Sequence, residues 1–286
     1  MLPTSGDVGL QIFKMTYFGF LLRFLVIPIL LLLFVNWREN DKPSPGFDDR
    51  KTWRGILIHI LLAVIYTTPW DNYLVATGVW YYDPDLVTGI VFGYVPLEEY
   101  TFFVLETLMI GLWWWMLARR KAFLPKSPFT PNKTIRTWTL GLLAVLWAVS
   151  LSVLLSGWKP GTYLAITLTW ALPAIAPQLA FGADILWRYR RLLGTVILTG
   201  AGYLSVMDAL AIGSGTWTID PAQSTGILIG NLPIEEAVFF MITVVLISFG
   251  MTLLLADVSQ ARLGELRSFL AHLRGRESTS VRDSGA

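Results

Sequence analysis

Seven stretches of this chain come near or exceed the ~20 apolar residues that cross the hydrocarbon core of a bilayer. They run over roughly 16–36, 54–76, 96–118, 136–156, 161–184, 191–213 and 231–256. A chain in lipid must satisfy its own backbone hydrogen bonds, so such stretches are helices. The first does not read as a cleavable leader: its apolar run is too long, Arg23 lies inside it, and no small-residue cleavage site follows. Composition agrees, since only 15% of the 286 residues are charged, against about a quarter in a soluble domain. Pro173 and Pro177, one turn apart in the fifth stretch, predict a kink there.

Basic residues predict the orientation. Of the 22 Lys and Arg, Arg38, Lys42, Arg50, Lys51 and Arg54 lie around the first connection, and Arg119, Arg120, Lys121, Lys126, Lys133 and Arg136 around the third. Arg188, Arg190 and Arg191 occupy the fifth connection, and Arg262, Arg267, Arg274, Arg276 and Arg282 the tail. The opposite side holds only Lys14 and Lys159, with Arg23 inside a span. An even number of helices would scramble this partition. The expectation is therefore an all-α membrane protein with seven transmembrane helices, its N-terminus outside and its C-terminus cytoplasmic. In the tail, 257–286, Leu263, Leu266, Phe269, Leu270 and Leu273 share one helical face among arginines. That pattern predicts an amphipathic segment on the cytoplasmic headgroups, ending in ten residues rich in Ser and charge that are expected to be disordered.

The chain also repeats itself. Displaced by 137 residues, the segment Asp71 to Phe103 matches Asp208 to Phe240 without a gap, with 14 of 33 positions identical. Duplication is the economical reading. The matched pairs include Asp71/Asp208, Gly78/Gly215, Trp80/Trp217, Asp83/Asp220, Pro96/Pro233, Glu98/Glu235, Glu99/Glu236 and Phe103/Phe240. Equivalent helices stand four apart, so both units point the same way, the first stretch corresponds loosely to the fifth, and the fourth is a linker. This predicts a parallel 3+1+3 internal repeat. Its expected parts are 1–118 (spans 1–3), 119–156 (linker and span 4), 157–256 (spans 5–7) and the basic tail 257–286. The matched polar residues then gather toward the non-cytoplasmic side.

With no cysteine, thiolate chemistry and Cys-ligated metals are excluded, and His59 and His272 alone make a histidine metal site an unpromising reading. A net charge of +2 gives no reason to expect nucleic acid. His59 reads as a packing or interfacial residue and His272 as a solvated one. What remains is carboxylates, aromatics and hydroxyls. Pro-x-Glu-Glu opens the third and seventh stretches, and proline and glutamate both suit the first turn of any helix. Glu98, Glu99, Glu235 and Glu236 could thus be ordinary N-terminal charges. Against that stands their duplication, with Asp71 and Asp208 at the outer end of each preceding helix. A carboxylate inside a span costs about 2.5–3.5 kcal/mol on insertion scales, and such residues usually face a bundle interior with a function.

Glu98 and Glu99 lie 100° apart on a helix, so one faces inward more than the other, and the sequence leaves open which. Where two carboxyls converge in a dry pocket, desolvation and repulsion keep one of them protonated beside an ionised partner, which is an acid–base pair. Glu106, two turns deeper, is matched by Thr243 and so predicts unequal halves; a helix–helix hydrogen bond or a substrate contact would each explain it. Trp80, Phe102, Phe103, Trp217, Phe239 and Phe240 surround these acids. The phenylalanines, following the glutamates by about one turn, could be plain packing or a wall of ring faces toward a cation. For Trp113, Trp114 and Trp115 an interfacial belt and core packing suffice.

Pro96-Leu97-Glu98-Glu99 with Phe102-Phe103, and Pro233-Ile234-Glu235-Glu236 with Phe239-Phe240, each preceded by its Asp-to-Pro segment, resemble the membrane-integral lycopene cyclases. That family includes a heterodimeric bacterial type and fused fungal and archaeal types. The resemblance extends over about 10–256. It implies a bilayer-dissolved substrate, lycopene or a related acyclic carotenoid, and a non-redox ring closure. An acid protonates the terminal double bond, the next double bond attacks the cation, and a base removes a proton. It implies catalysis by Glu98, Glu99, Glu235 and Glu236 with Asp71 and Asp208, and substrate contacts from the six aromatics and Glu106. No dinucleotide-binding fingerprint occurs, so no cofactor and no metal are expected. The membrane would be the plasma membrane of a prokaryote or the endoplasmic reticulum of a fungus, and a homo-oligomer stays open. A carotenoid hydratase of the same superfamily, or a small-solute transporter of 3+1+3 design, are the competing readings.

Overall fold

The computed structural model describes residues 15–39, 43–125 and 127–265. Seven long helices dominate them: α1 Tyr17–Arg38, α2 Thr52–Ala76, α3 Leu97–Ala118, α4 Lys133–Leu155, α5 Thr162–Arg188, α6 Arg190–Ser214 and α7 Ile234–Leu255. Six are long and apolar enough to cross a membrane, and α2 is not among them. It has the length, 25 residues, but Arg54, His59, Asp71 and Asn72 dilute its apolar run. Its outer face is apolar all the same, with Trp53, Leu57, Ile58, Leu61, Leu62 and Ile65 exposed.

The irregular points follow from proline chemistry. Proline lacks an N–H, so the carbonyl four residues back loses its partner. For Pro28 that carbonyl belongs to Phe24; it accepts from the Tyr203 hydroxyl of α6 at 2.8 Å, and α1 loosens into a π turn over Leu22–Val26. For Pro173 it belongs to Thr169, which accepts from Trp147 Nε1 of α4 at 3.2 Å. The kink expected at Pro173 and Pro177 lies elsewhere: α5 leaves helical geometry at Gly182 (φ −153°, ψ 31°). A Cβ on Gly182 would sit 2.4 Å from Leu253 Cδ2, so the bend brings α5 close against α7 and a larger residue there would make Leu253 shift.

α3 and α7 occupy the centre. α3 packs against α1, α2, α6 and α7, whereas α7 packs against α2, α3, α5 and α6. Small residues allow these approaches: Gly111 of α3 meets Ile56, and Gly250 of α7 meets the His59 ring. His59 bonds Gly55 O through Nδ1 at 2.7 Å, the packing role expected of it; His272 lies outside the described residues. α4 packs on α5 and buries only Ser150. Trp114 and Trp115 are core residues rather than a belt, with Trp114 Nε1 donating to Thr252 at 2.9 Å and Trp115 Nε1 to Asp49 at 2.8 Å.

The matched segments fold alike. Each long helix (α2 or α6) is followed by a three-residue strand and a small hairpin before the next helix begins. The first copy has β1 Trp80–Tyr82, then β2 Val91–Phe92 paired with β3 Val95–Pro96. The second has β4 Trp217–Ile219, then β5 Leu228–Ile229 paired with β6 Leu232–Pro233. The hairpin loops Gly93-Tyr94 and Gly230-Asn231 place a glycine first, at φ +69° and +67°, as a two-residue loop of this hand requires. β1 and β4 pair antiparallel, Trp80 with Ile219, Tyr81 with Thr218 and Tyr82 with Trp217. Because Trp80 is equivalent to Trp217 and Tyr82 to Ile219, this register is symmetric about Tyr81 and Thr218. A local two-fold axis therefore passes between the copies.

Beyond α7, residues 257–265 are helical. Arg262 turns inward, bonding Asp184 in a bidentate pair at 2.7 and 2.9 Å, so the start of the tail is fastened to α5. Of the amphipathic face expected in the tail, Leu263 is described and Leu266, Phe269, Leu270 and Leu273 lie outside the described residues.

Candidate active site

The strand pair β1–β4 roofs a small chamber of about 40 Å³ on the local axis. Glu99, Asp208 and Glu236 line it, with Tyr17, Tyr82, Trp80, Trp217, Phe102, Phe239 and Phe240. Both copies contribute equivalent residues: Trp80 and Trp217, Glu99 and Glu236, Phe102 and Phe239. The convergence of carboxyls from the two halves, expected from the repeat, is present as geometry.

The Glu-Glu pairs divide their work. Glu98 Oε1 accepts the Thr88 N–H at 2.6 Å, and Glu235 Oε1 accepts the Thr225 N–H at 2.6 Å. Each therefore reaches back over ten residues and ties down the loop before its own hairpin, outside the chamber lining. Their neighbours, about 100° further round the helix, face the axis. Glu99 Oε2 accepts from the Tyr17 hydroxyl at 2.5 Å and the Tyr82 hydroxyl at 3.1 Å. Glu236 Oε1 accepts from the Tyr163 hydroxyl at 2.7 Å. Burial and the adjacent Glu99 push the Tyr82 phenol well above its ordinary range, which keeps it a donor.

Asp71 and Asp208 are fully buried but unequal. Trp217 Nε1 donates to Asp208 Oδ1 at 2.8 Å, whereas neither Asp71 oxygen nor Trp80 Nε1 has a partner among the described residues. The aromatics interleave across the axis. Tyr17 of the first half packs on Trp217 of the second at 4.9 Å, and Tyr163 of the second meets Trp80 of the first edge-on at 5.4 Å. Phe102 meets Phe240 at 6.1 Å. Phe239 stacks on Trp70 at 5.4 Å and 8° between planes.

Tyr17 and Tyr163 escaped the sequence reading. The signal existed: both stand in the first turn of the first and fifth apolar stretches, already matched loosely. They are 146 residues apart, however, so a displacement of 137 steps past them.

Two larger apolar clefts flank the centre. One, of about 290 Å³ between α2, α3, α5 and α7, includes Tyr66, Phe103, Glu106, Trp170, Phe239 and Thr243. The other, of about 390 Å³ between α1, α3 and α6, includes Pro28, Leu32, Met109, Ile110, Thr199 and Tyr203. They are related by the same axis. Tyr66 corresponds to Tyr203, and its hydroxyl bonds Trp170 O at 2.7 Å as the Tyr203 hydroxyl bonds Phe24 O. Glu106 and Thr243, equivalent in sequence, meet across the axis, with Thr243 Oγ1 donating to Glu106 Oε1 at 2.7 Å. Phe103 and Glu106 thus face the first cleft rather than the chamber. Phe239 borders both spaces.

Among the described residues no cluster of three or more His, Asp or Glu has the disposition of a metal site.

The fold and its axial chamber define a class: an α-helical protein with six helices long and apolar enough to cross a membrane and buried carboxyls drawn from both matched segments. The family model described as lycopene cyclase matches residues 14–116 and 160–254, and the chain belongs to that family. A lycopene beta-cyclase of Halobacterium salinarum is 41% identical over 206 residues, covering 72% of this chain and 84% of that protein. A bifunctional lycopene cyclase/phytoene synthase of Podospora anserina is 34% identical over 199 residues, covering 67% of this chain and 33% of that protein. One from Colletotrichum graminicola is 35% identical over 202 residues, covering 68% of this chain and 34% of that protein. No solved structure matches.

Proposed function

We propose that this chain closes rings at the acyclic ends of lycopene by acid–base catalysis that starts from the carboxyls of the axial chamber. The observation that carries the reading is the pairing of Glu99 and Glu236, one from each half, in a ring-lined space beside Asp208. Glu236, with one phenol donor and Asp208 as neighbour, gives its proton to the terminal alkene. Glu99, with two phenol donors on one oxygen, stays anionic and faces the carbocation, which Phe102, Phe239 and Phe240 also attract through their ring faces. Asp208 and Asp71 set the charge around them. Glu98 and Glu235 serve the reaction only by fixing the hairpins that roof the site. The chemistry is an isomerisation and needs neither a redox cofactor nor a metal.

The same reading includes the membrane arrangement. α2 crosses as the seventh span, because its exposed apolar face and 25-residue length suit a helix whose polar residues face inward. The halves 1–118 and 157–256 form a parallel repeat around the linker 119–156, in keeping with the two separate blocks matched by the family model. The chamber end faces outward and the basic tail 257–286 faces the cytoplasm.

Substitution by Gln, one position at a time, in lycopene-accumulating cells tests the assignment. Glu99→Gln and Glu236→Gln should each lower ring formation at least 100-fold, the scale of a lost anion that steadies the cation or of a lost acid. Glu98→Gln and Glu235→Gln should keep more than half of it, since an amide oxygen still accepts the loop N–H. Full activity in both Glu99→Gln and Glu236→Gln would defeat the proposal. An open-chain product heavier by one water would assign the chain to hydration instead.

A further inference from the structure

The chamber can present its carboxyls to a substrate but cannot hold the whole reacting end group. About 40 Å³ accommodates a water or two, not a branched end group folding into a six-membered ring. The adjoining cleft of about 290 Å³ is the nearer match to a ligand site, and Phe239 alone stands on the boundary of both. Yet the axis supplies two such clefts, and the first is the more polar, with His59, Glu106 and Gln178 in its lining. The α2–α3–α5–α7 cleft contains a carboxyl, Glu106, whereas the α1–α3–α6 cleft contains none.

Resting on the cyclase reading above, we infer that the reacting end group lies in the α2–α3–α5–α7 cleft and that Glu106 is the base that takes the ring proton. Glu106 is buried, and Thr243 holds its Oε1 at 2.7 Å, leaving Oε2 without a donor among the described residues. Of the cleft's other polar groups, the Tyr66 hydroxyl and Gln178 Nε2 bond backbone carbonyls and His59 Nδ1 bonds Gly55, while Gln178 Oε1 is buried without a partner among the described residues; an amide oxygen is far too weak a base to take the proton. Glu106 also follows Glu99 by two turns on one face of α3, so an end group between them meets the carboxyls of the chamber on one side and a base on the other.

The electrons balance without a further reagent. A proton from the chamber adds to the terminal alkene and leaves a cation. The next double bond gives its pair to that cation, forming the ring bond and moving the positive charge onto a ring carbon. Glu106 removes a neighbouring proton, and the C–H pair becomes the ring alkene. One proton enters, one leaves, and lycopene and product have the same composition. The position of the new double bond then depends on which C–H the Glu106 carboxylate reaches.

The test uses the full chain, purified and returned to lycopene-loaded vesicles, with wild type, Glu106→Gln, Glu106→Asp and, in the other cleft, Thr199→Val. Glu106→Gln should lower kcat at least 100-fold with KM within threefold of wild type. Its residual product should shift toward misplaced ring alkenes or water-captured open ends. Glu106→Asp should recover part of the rate, again with altered alkene position, and Thr199→Val should match wild type. A wild-type rate in Glu106→Gln overturns the inference, as does a slowed variant whose product distribution is unchanged, for that would be a purely structural effect. A wild-type protein that leaves lycopene untouched would defeat the cyclase reading itself.

Discussion

Tyr17 and Tyr163 show how much a single hydroxyl can matter at the centre of this molecule. Each donates from the opening turn of its helix to an axial glutamate, at 2.5 and 2.7 Å. A hydrogen bond to a charged group contributes roughly 1.5–3 kcal/mol. Tyr17→Phe should therefore slow turnover by roughly 10- to 100-fold, read as kcat on lycopene in vesicles, and lower the melting temperature too, since the lost bond is buried. Glu98→Ala should act on stability first. It strands the Thr88 N–H, costing about 1–3 kcal/mol, which a melting curve in detergent will register more strongly than the rate. The sequence could not separate these glutamates, since adjacent positions on a helix differ only by an angle. The distinction comes from the hairpin loop, whose closeness to Glu98 depends on a turn ten residues away.

At the scale of elements, the two halves reach the same geometry with different residues. Asn72 of α2 accepts the Tyr94 N–H of its hairpin at 2.8 Å. In the sister copy the equivalent helix position is Ala209, and the hairpin's Asn231 donates to the Ala209 carbonyl at 2.7 Å. A search for identity misses such a tie because the amide has changed sides. The bend of α5 was misplaced for a related reason. Prolines mark where a helix can bend, but partners such as Trp147 repair the lost bond, and the close approach of Leu253 sets the break at Gly182. Asp184, just past that break, is held by Arg262 and by the Asn132 N–H at 2.9 Å. Arg262→Ala leaves this buried carboxylate without its cation and should cost about 3–5 kcal/mol, seen as a lower melting temperature. Asp184→Leu with Arg262→Met should recover much of that loss, because an apolar pair carries no desolvation penalty.

For the whole molecule, the helices and the likeness of the two matched segments were legible because both are written in hydrophobicity and spacing, while six of the seven helices are long and apolar enough to cross a membrane. The axis was not, since it depends on how β1 meets β4 and on Glu106 finding Thr243, contacts between segments 137 residues apart. That axis makes each half incomplete. Glu99 comes from one and Asp208 and Glu236 from the other, so a chain divided at the exposed turn around Gly157 should be inactive as either fragment. Co-expression of the fragments should restore ring formation to within about tenfold of the intact chain, the docking of two bodies being the only added cost. Pigment analysis of cells carrying one or both fragments checks this.

A single reaction centre per chain, as proposed above, also dictates tempo. A pigment with two matching termini cannot be finished in one visit: it must withdraw, reverse end for end in the bilayer and dock again. The half-finished species should therefore lead the finished one in any time course, and scarce protein with abundant pigment should stop at the first stage.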